Sequence, residues 1–380
     1  MSYLFHIRYL LFLFLVGISS GYAQSGNINI TNTALPFLLI SLDVKSNGNG
    51  SAGIGMPADA NSTFTNLAKL AFSEKKISVS INHLAWLSDI GQGAFLSAAS
   101  GYLKTRENSA LSTSIRYFSP NPIQLTDFSG NLLSAQTPSE YCFDIGYSSK
   151  INSNVSIGVA SRYIRSKLMS GNDRYNKTYQ PGSTFAVDFS MFYTEESDLS
   201  GHSFSFGAVV ANLGAKIGYT SNSNEKDFIP ATLKVGVSYK TFLSDESEEV
   251  RMSFDINKVL LPKYPAATGN YANDSVNLAV FRQLSVPESW AKSFSDGSSQ
   301  LDDLKVSAGV EFKYNNSYMV RTGYHHEAKV SGNGSFVSFG VGINTDVFEL
   351  NFAYLSPISV GGSINPLLST LNVGVLLNLK

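Results

Sequence analysis

The sequence predicts a transmembrane antiparallel β-barrel of about fourteen strands, all-β apart from an N-terminal plug segment. Three observations carry the prediction. Apolar and polar residues alternate with period two over runs of about ten residues, the length of a tilted spanning strand. Short and long connections alternate along the chain. Aromatic residues collect towards the ends of the runs.

The alternation is plain in four runs. Phe185, Val187, Phe189, Met191 and Tyr193 interleave with Ala186, Asp188 and Ser190. Val306, Ala308, Val310, Phe312 and Tyr314 oppose Ser307, Gly309, Glu311 and Lys313. Leu233, Val235, Val237 and Tyr239 oppose Lys234, Gly236, Ser238 and Lys240, and Val337, Phe339, Val341 and Ile343 oppose Ser338, Gly340, Gly342 and Asn344. Successive side chains on a strand point to opposite faces, so each run has one greasy face for lipid and one wet face for the lumen. Strands are expected to begin near 77, 92, 108, 139, 154, 183, 202, 229, 249, 301, 317, 335, 348 and 371.

Tight returns fall at Thr105-Arg106-Glu107, Lys150-Ile151-Asn152-Ser153, Asn315-Asn316 and Thr345-Asp346. Long polar stretches run from Pro120 to Pro138, Leu168 to Gly182, Leu261 to Gln300 and Ser356 to Thr370. The stretch 87–91 is short for its side and 243–248 is moderately long for the other. A soluble sandwich has no reason to sort its turns by length, whereas bacterial barrels have short periplasmic turns and longer extracellular loops. Trp86, Tyr102, Tyr117, Tyr147, Tyr163, Tyr193, Tyr239, Tyr314 and Tyr354 are expected to form interfacial girdles.

Residues 1–23 read as a secretory signal peptide: Arg8 is positive, Leu10 to Val16 is apolar, and Gly21-Tyr22-Ala23 is a small-x-small cleavage site. The apolar run is too short to span as a helix, and no other stretch approaches that length, which excludes a helical inner-membrane protein. Residues 24–76 read as a periplasmic or intraluminal plug, with helical spacing of Phe64, Leu67, Ala68 and Ala71 over 61–72. The barrel occupies 77–380, with its largest extracellular excursion at 261–300, where Val276 to Leu284 suits a short helix and Pro287 to Trp290 a turn. A formal net charge of −1 advertises no nucleic acid or anionic surface as partner. The single cysteine, Cys142, excludes a disulfide framework and reads as a small apolar strand residue.

Chemistry-bearing motifs are sparse. Gly48-Asn49-Gly50-Ser51-Ala52-Gly53 matches G-x-G-x-x-G, but Met56-Pro57 follows and no βαβ unit does, so it reads as a flexible turn. His325 and His326 point to opposite faces, and His83 and His202 stand alone. No zinc-type Cys/His spacing and no G-x-S-x-G elbow is present. Glu195-Glu196-Asp198 and Asp245-Glu246-Glu248-Glu249 read as solvated periplasmic charges, while Lys234, Lys240, Glu311 and Lys313 face the lumen, to tune a pore or to pair across it. No catalytic, cofactor-binding or metal residue is assigned, and no cofactor is expected.

Several segments together resemble a known family. They are Ala34-Leu35-Pro36-Phe37-Leu38-Leu39-Ile40-Ser41-Leu42-Asp43, Ile115-Arg116-Tyr117-Phe118-Ser119 and Arg162-Tyr163-Ile164-Arg165-Ser166-Lys167-Leu168. Further along stand Ala211-Asn212-Leu213-Gly214-Ala215-Lys216-Ile217, Phe228-Ile229-Pro230-Ala231-Thr232-Leu233-Lys234, Phe254 to Pro262 and Gly323-Tyr324-His325-His326-Glu327. In order and spacing the chain resembles the PorV family, outer-membrane barrels of the type IX secretion system within the FadL-like superfamily. The resemblance implies a carrier rather than an enzyme. It implies that secreted proteins are bound by a C-terminal signal domain, taken from the translocon and handed to a surface attachment complex with its sortase. The expected setting is the outer membrane of a Gram-negative bacterium, with outer-membrane lipid around the barrel. Loops 120–138 and 261–300 are the expected gripping surface, with no contact residue assigned. Two alternatives stand beside this reading: a FadL-like transporter of hydrophobic molecules, and a lipid-modifying barrel enzyme with a Ser/His pair at its rim.

Overall fold

A computed structural model describes residues 33–379, except 87–92, 127–128, 130–131, 173–176, 197–200, 244–245, 266–267, 296–303, 328–333 and 359–368. The signal peptide read at 1–23, Asp198, Asp245, the short return at 87–91 and most of the 356–370 stretch lie outside the described residues, as does the side chain of Trp86.

Fourteen antiparallel strands close into one barrel. In chain order they are β1 (Ile77–Trp86), β2 (Phe95–Arg106), β3 (Ser109–Ser119), β4 (Ser139–Lys150), β5 (Val155–Lys167), β6 (Gly182–Glu196) and β7 (Ser203–Gly214). They continue as β8 (Thr232–Phe242), β9 (Glu248–Val259), β10 (Leu304–Tyr314), β11 (Tyr318–Glu327), β12 (Phe336–Asn344), β13 (Phe348–Pro357) and β14 (Thr370–Leu379). Each strand pairs with its sequence neighbours, and β14 closes on β1 from Ile77↔Leu379 to Trp86↔Thr370. Most expected starts fall within a residue of the observed ones. The strand expected from 229 begins at Thr232, because Pro230 has no ladder donor and Phe228 and Ile229 turn inward to bury their side chains.

The two length classes of connection hold around the whole barrel. One end carries the returns 107–108, 151–154, 197–202, 243–247, 315–317 and 345–347, and the other carries 87–94, 120–138, 168–181, 215–231, 260–303, 328–335 and 358–369. Asn315 and Asn316 both have positive φ, 50° and 55°, in a three-residue return whose Ser317 N–H donates to the Tyr314 carbonyl at 3.0 Å. At the other end the connections carry structure of their own: a hairpin of Ile123–Thr126 with Leu132–Gln136, and a small one of Gly171–Asn172 with Thr178–Tyr179.

The outward face is apolar, with Phe185 65% exposed and Phe339 56%, while their inward neighbours Ala186 and Ser338 are buried. Tyr117, Tyr147, Tyr239, Tyr314 and Tyr354 all lie exposed on the outside. Tyr102 does not. It falls on the inward parity of β2, and its hydroxyl bonds the Ser73 hydroxyl and donates to the Lys75 carbonyl at 3.3 Å. The girdle assignment fails there because Leu103, not Tyr102, takes the lipid side.

Residues 33–73 pack against the inward faces of the strands. They form a 3-10 turn (Pro36–Leu39), α1 (Val44–Gly48), α2 (Ser62–Thr65) and a second 3-10 turn (Leu67–Phe72). The helical spacing over 61–72 is broken at Asn66, whose φ of −147° and ψ of 102° are extended. Asn66 ends one element and caps the next, accepting from Ala68 N at 3.1 Å. In the 260–303 excursion, α3 (Tyr271–Gln283) starts earlier than Val276 because Asn270 accepts from Ala272 N and Asn273 N. The turn expected at Pro287 to Trp290 is instead inside α4 (Val286–Lys292), where Ser285 caps and proline sits in the first turn.

Candidate functional site

The interior is where this chain departs from an open pore. Wall glycines on many strands face the luminal chain. A Cβ on Gly146 would meet Leu67 Cδ2 at 2.6 Å, on Gly158 Ala68 N at 2.9 Å, on Gly340 Gly48 Cα at 3.0 Å and on Gly374 Val44 Cγ2 at 2.6 Å. On Gly309 and Gly323 it would overlap the backbone of Asn49 and Gly50 outright. Glycine on the wet face is thus there for close backbone approach, not to keep water moving.

The 48–53 stretch, expected to be a flexible turn, is buried and fixed. Gly50 has φ +68° and donates to Ser338 Oγ at 2.9 Å, while Ser338 Oγ donates to the Gly48 carbonyl at 3.0 Å. Gly53 N and Ile54 N both donate to Asp255 Oδ2, at 2.7 and 3.0 Å, and Lys69 Nζ donates to the Gly53 carbonyl at 2.9 Å. The glycine-rich amides do hold an anion, but it is the chain's own carboxylate on β9. Lys69 is held below the usual lysine range by its burial.

Towards the short-return end an ion-pair network lines a further cavity of about 130 Å³. Lys45 Nζ reaches Glu349 at 2.7 Å and Asp59 at 3.0 Å, Arg321 Nε reaches Glu311 at 2.5 Å, and Arg321 Nη1 donates to Asn351 Oδ1 at 2.8 Å. Glu249 pairs with Arg251 at 2.9 Å and with Lys313 at 3.0 Å. Glu249, read as a solvated turn charge, lies on the inward face of β9. Glu311 and Lys313 do pair in the lumen, though with Arg321 and Glu249 rather than with each other. Burial, with Asp59 adding to it, pushes the Asp43 carboxyl in this region up to about 6.

A second network sits midway up the wall. Arg162 clasps Asp144 at 2.6 Å and Asp188 at 3.0 Å and also donates to Asn212, while Arg116 reaches Asp144 at 3.4 Å and lies over the Phe64 ring. Asn212 has φ 59°, and its N–H donates to Asp188 Oδ1 at 2.6 Å where the β6–β7 register shifts between Val187 and Phe189. That is a bulge fixed by side-chain chemistry.

Towards the long-connection end the luminal chain leaves a cavity of about 340 Å³. One side is apolar: Leu38, Leu39, Phe64, Leu84, Phe336 and Leu355. The other is polar: Thr232 and Lys234 on β8, Asp255 and Asn257 on β9, and the Lys305–Glu327 pair at 2.7 Å. Thr232 Oγ1, Asp255 Oδ1 and Asn257 Oδ1 are buried without a hydrogen-bond partner in the protein. Each such atom costs about 1–3 kcal/mol. Beside the cavity Leu84, Leu96, Ala98, Cys142 and Ile164 of β1, β2, β4 and β5 pack on Leu35, Phe37, Leu38 and Leu42. The expected wet face is dry there.

His325 lines the cavity, stacks on Phe336 and bonds Ser307 Oγ through Nδ1 at 2.8 Å. Ser307 itself has no exposed surface, so its hydroxyl is a brace for the imidazole ring. Over one side of the mouth, Phe281 of α3 packs with Phe228, Val259 and Leu261, and Leu39 of the luminal chain joins them. Arg282 holds Asp227 by two hydrogen bonds at 2.6 and 3.0 Å, and Lys216 Nζ caps the helix through the Arg282 and Leu284 carbonyls at 2.7 and 2.5 Å.

A closed barrel with an apolar outer face, sorted connections and an interior packed by its own leading segment is a β-barrel of the outer-membrane type. The chain is similar in fold to solved structures. The Ralstonia pickettii toluene transporter TbuX aligns with a TM-score of 0.53 and 9% identity over 93% of this chain and 100% of that one. The P. putida toluene transporter TodX gives 0.52 and 11% over 88% and 98%. At such identities the likeness is one of fold alone. No curated protein sequence matches the chain. The family model described as type IX secretion system protein PorV matches residues 23–266, well over half of the sequence, and the chain belongs to that family.

Proposed function

We propose that this chain is an outer-membrane carrier of the type IX secretion system. It binds secreted proteins through their C-terminal signal domain as they leave the translocon and passes them to the surface attachment and sortase complex. The short returns face the periplasm and the long connections face outward. Residues 24–76 act as a plug, 1–23 direct export, and no cofactor, nucleic acid or catalytic group takes part.

The observation that carries the reading is the blocked lumen. Gly309 and Gly323 leave no room between the wall and Asn49–Gly50, and the Lys45 and Arg321 ion pairs narrow the space below to about 130 Å³. A barrel packed in this way is unsuited to pass protein through itself, so its partners meet it at the mouth. The connections 120–138 and 260–303, the latter braced by Arg282 and Asp227, supply the surface there.

A second reading, uptake of a hydrophobic molecule as in the toluene transporters of this fold, is favoured by the apolar side of the cavity. Affinity capture of the tagged protein from solubilised outer membrane, followed by mass spectrometry, separates the two. Co-purification of secreted proteins sharing a C-terminal domain, with translocon or sortase components, supports the carrier. A barrel recovered with lipid alone refutes it and leaves hydrophobic transport.

A further inference from the structure

The cavity at the long-connection end carries more positive charge than its own carboxylates balance. Arg116, Lys234, Lys258 and Lys305 line it, against Asp255 and Glu327. Lys305 takes Glu327 at 2.7 Å. Asp255 is withdrawn from the cavity, with Oδ2 on the Gly53 and Ile54 amides and Oδ1 lying against Gly236. Lys258 lies over the Phe294 ring. Lys234 and Arg116 remain, and both also line a small cavity of about 30 Å³ alongside, so the two cations share one corner. Lys234 is part-exposed, and among the described residues its Nζ makes no hydrogen bond or ion pair. Arg116 reaches Asp144 only at 3.4 Å, because Arg162 holds that carboxylate at 2.6 Å. Two like charges in a largely enclosed corner call for an anion between them.

The corner lies below an apolar collar. In the β8–β9 register Thr232 stands opposite Val259 and Lys234 opposite Asn257. Lys234 is therefore about 7 Å further down the wall than Val259, which joins Leu39, Phe228, Leu261 and Phe281 around one side of the mouth. Ser46, Asn47, Ser51 and Gly53 of the luminal chain line the far side, and Gly309 and Gly323 close on Asn49 and Gly50 beyond them. A blind pocket is entered end first. A loop has to bring two lengths of chain past the collar, whereas a terminus brings one, and about 340 Å³ is at the small end of the range for ligand pockets. An amino terminus would set its ammonium against Lys234 and Arg116. A carboxyl terminus pairs one oxygen with each, and the side chains next to it meet Leu38, Leu39 and Phe64.

We propose that this cavity receives the carboxyl-terminal end of a partner polypeptide, its α-carboxylate between Lys234 and Arg116 and its last apolar side chains against Leu38, Leu39 and Phe64. The inference deepens the carrier reading and rests on it for the identity of the partner: the signal domain of a secreted protein is gripped by its final residue inside the barrel mouth, while the long connections hold the rest.

The test uses the full-length protein in lipid nanodiscs, with empty nanodiscs as the blank. The probe is the acetylated peptide glycine-serine-leucine-valine-leucine, titrated with a free carboxyl terminus and as its carboxamide, and n-hexanoate is the small-acid control. The expected result is saturable binding of the free acid, at least about tenfold tighter than the carboxamide or hexanoate. Lys234→Met should weaken it about tenfold and Lys234→Arg should restore most of it; neither touches a hydrogen bond that seats the luminal chain, and heat-modifiable gel migration reports that each is folded. Equal binding of acid and carboxamide, tighter hexanoate, an unchanged affinity in Lys234→Met, or no saturable binding of the acid overturns the proposal. Affinity capture from solubilised outer membrane, repeated with Lys234→Met, separates it from the reading beneath it. Secreted proteins should be lost from the variant; their retention at the wild-type level overturns the chain-end site and leaves the carrier standing, whereas their absence from the wild type refutes the carrier itself.

Discussion

Replacing Asp255 by alanine should loosen the 48–54 stretch while leaving the barrel closed. The wild-type carboxylate accepts from Gly53 N at 2.7 Å and Ile54 N at 3.0 Å, and hydrogen bonds to a charged group contribute about 1.5–3 kcal/mol each. The gross loss is therefore about 3–6 kcal/mol. Part of it is offset, because the same substitution removes a buried carboxylate whose second oxygen has no partner. A net weakening of about 2 kcal/mol is expected, equivalent to a roughly thirty-fold faster local opening. Hydrogen exchange read by mass spectrometry on peptides covering 48–56 measures it directly, with peptides from β12 and β13 as the internal control. Asp255→Asn, which keeps one acceptor but not the charge, should show about half the effect in free-energy terms. Unchanged protection of the Gly53 and Ile54 amides in Asp255→Ala would refute the reasoning, and equal loosening of the strands would assign Asp255 to the barrel rather than to the luminal chain.

Other outcomes follow from the same contacts. Gly309→Val should displace Asn49 and make the luminal chain sensitive to protease while the strands persist, with overpacking costing about 1–3 kcal/mol or more; a protease map identical to wild type would contradict the close approach. Arg162→Met takes the shared cation from the carboxylates of Asp144 and Asp188, leaving Asp144 only the longer Arg116 contact, and should lower stability by about 3–5 kcal/mol, read as a lower unfolding temperature on heat-modifiable gels. Asp43 titrates near 6 in the folded chain, above its unfolded value of 3.8, so the folded state binds the proton more tightly and stability falls as pH rises between those values. Asp43→Asn should then raise the unfolding temperature at pH 8, with the gain gone near pH 4; a gain independent of pH would assign the effect to something other than ionisation. Arg282→Ala should free α3 and α4 from the 215–231 connection, seen as faster exchange in 271–292 with the rest of the barrel unchanged.

The barrel itself was legible because lipid imposes a period. Phe185 to Tyr193 and Val337 to Ile343 alternate for a reason that acts on every strand, and the turn lengths add an independent sign. The interior was not legible to the same degree, since what fills a lumen is decided by register between strands far apart in the chain. Glu311 and Lys313 could be read as inward-facing, but their partners Arg321 and Glu249 follow only once β9, β10 and β11 are aligned. Gly236, Gly309, Gly340 and Gly342 were visible on the wet face, and their recurrence there was the signal of close packing inside: backbone lies against Gly309 and Gly340, the Asp255 side chain against Gly236 and the Asn351 and Met319 side chains against Gly342. Leu96, Ala98 and Cys142 turn apolar side chains inward, a departure from alternation that marks where Phe37 and Leu38 pack. Asp255 carried no local signal at all. Its role depends on amides about two hundred residues earlier in the chain.

That separation has a consequence for how the molecule comes to exist. The contacts that seat the leading segment join Gly48 and Gly50 to Ser338, and the final wall beside Val44 is β14. The first of the described residues to be synthesised are thus among the last to find their place. Until β12 to β14 have paired, Phe37, Leu38, Leu42 and Leu70 have no complete surface to bury against, and such long-range closure is slow. The polypeptide must therefore reach the membrane with this apolar stretch uncovered, and escort during that interval is as much a requirement of this architecture as any contact within it.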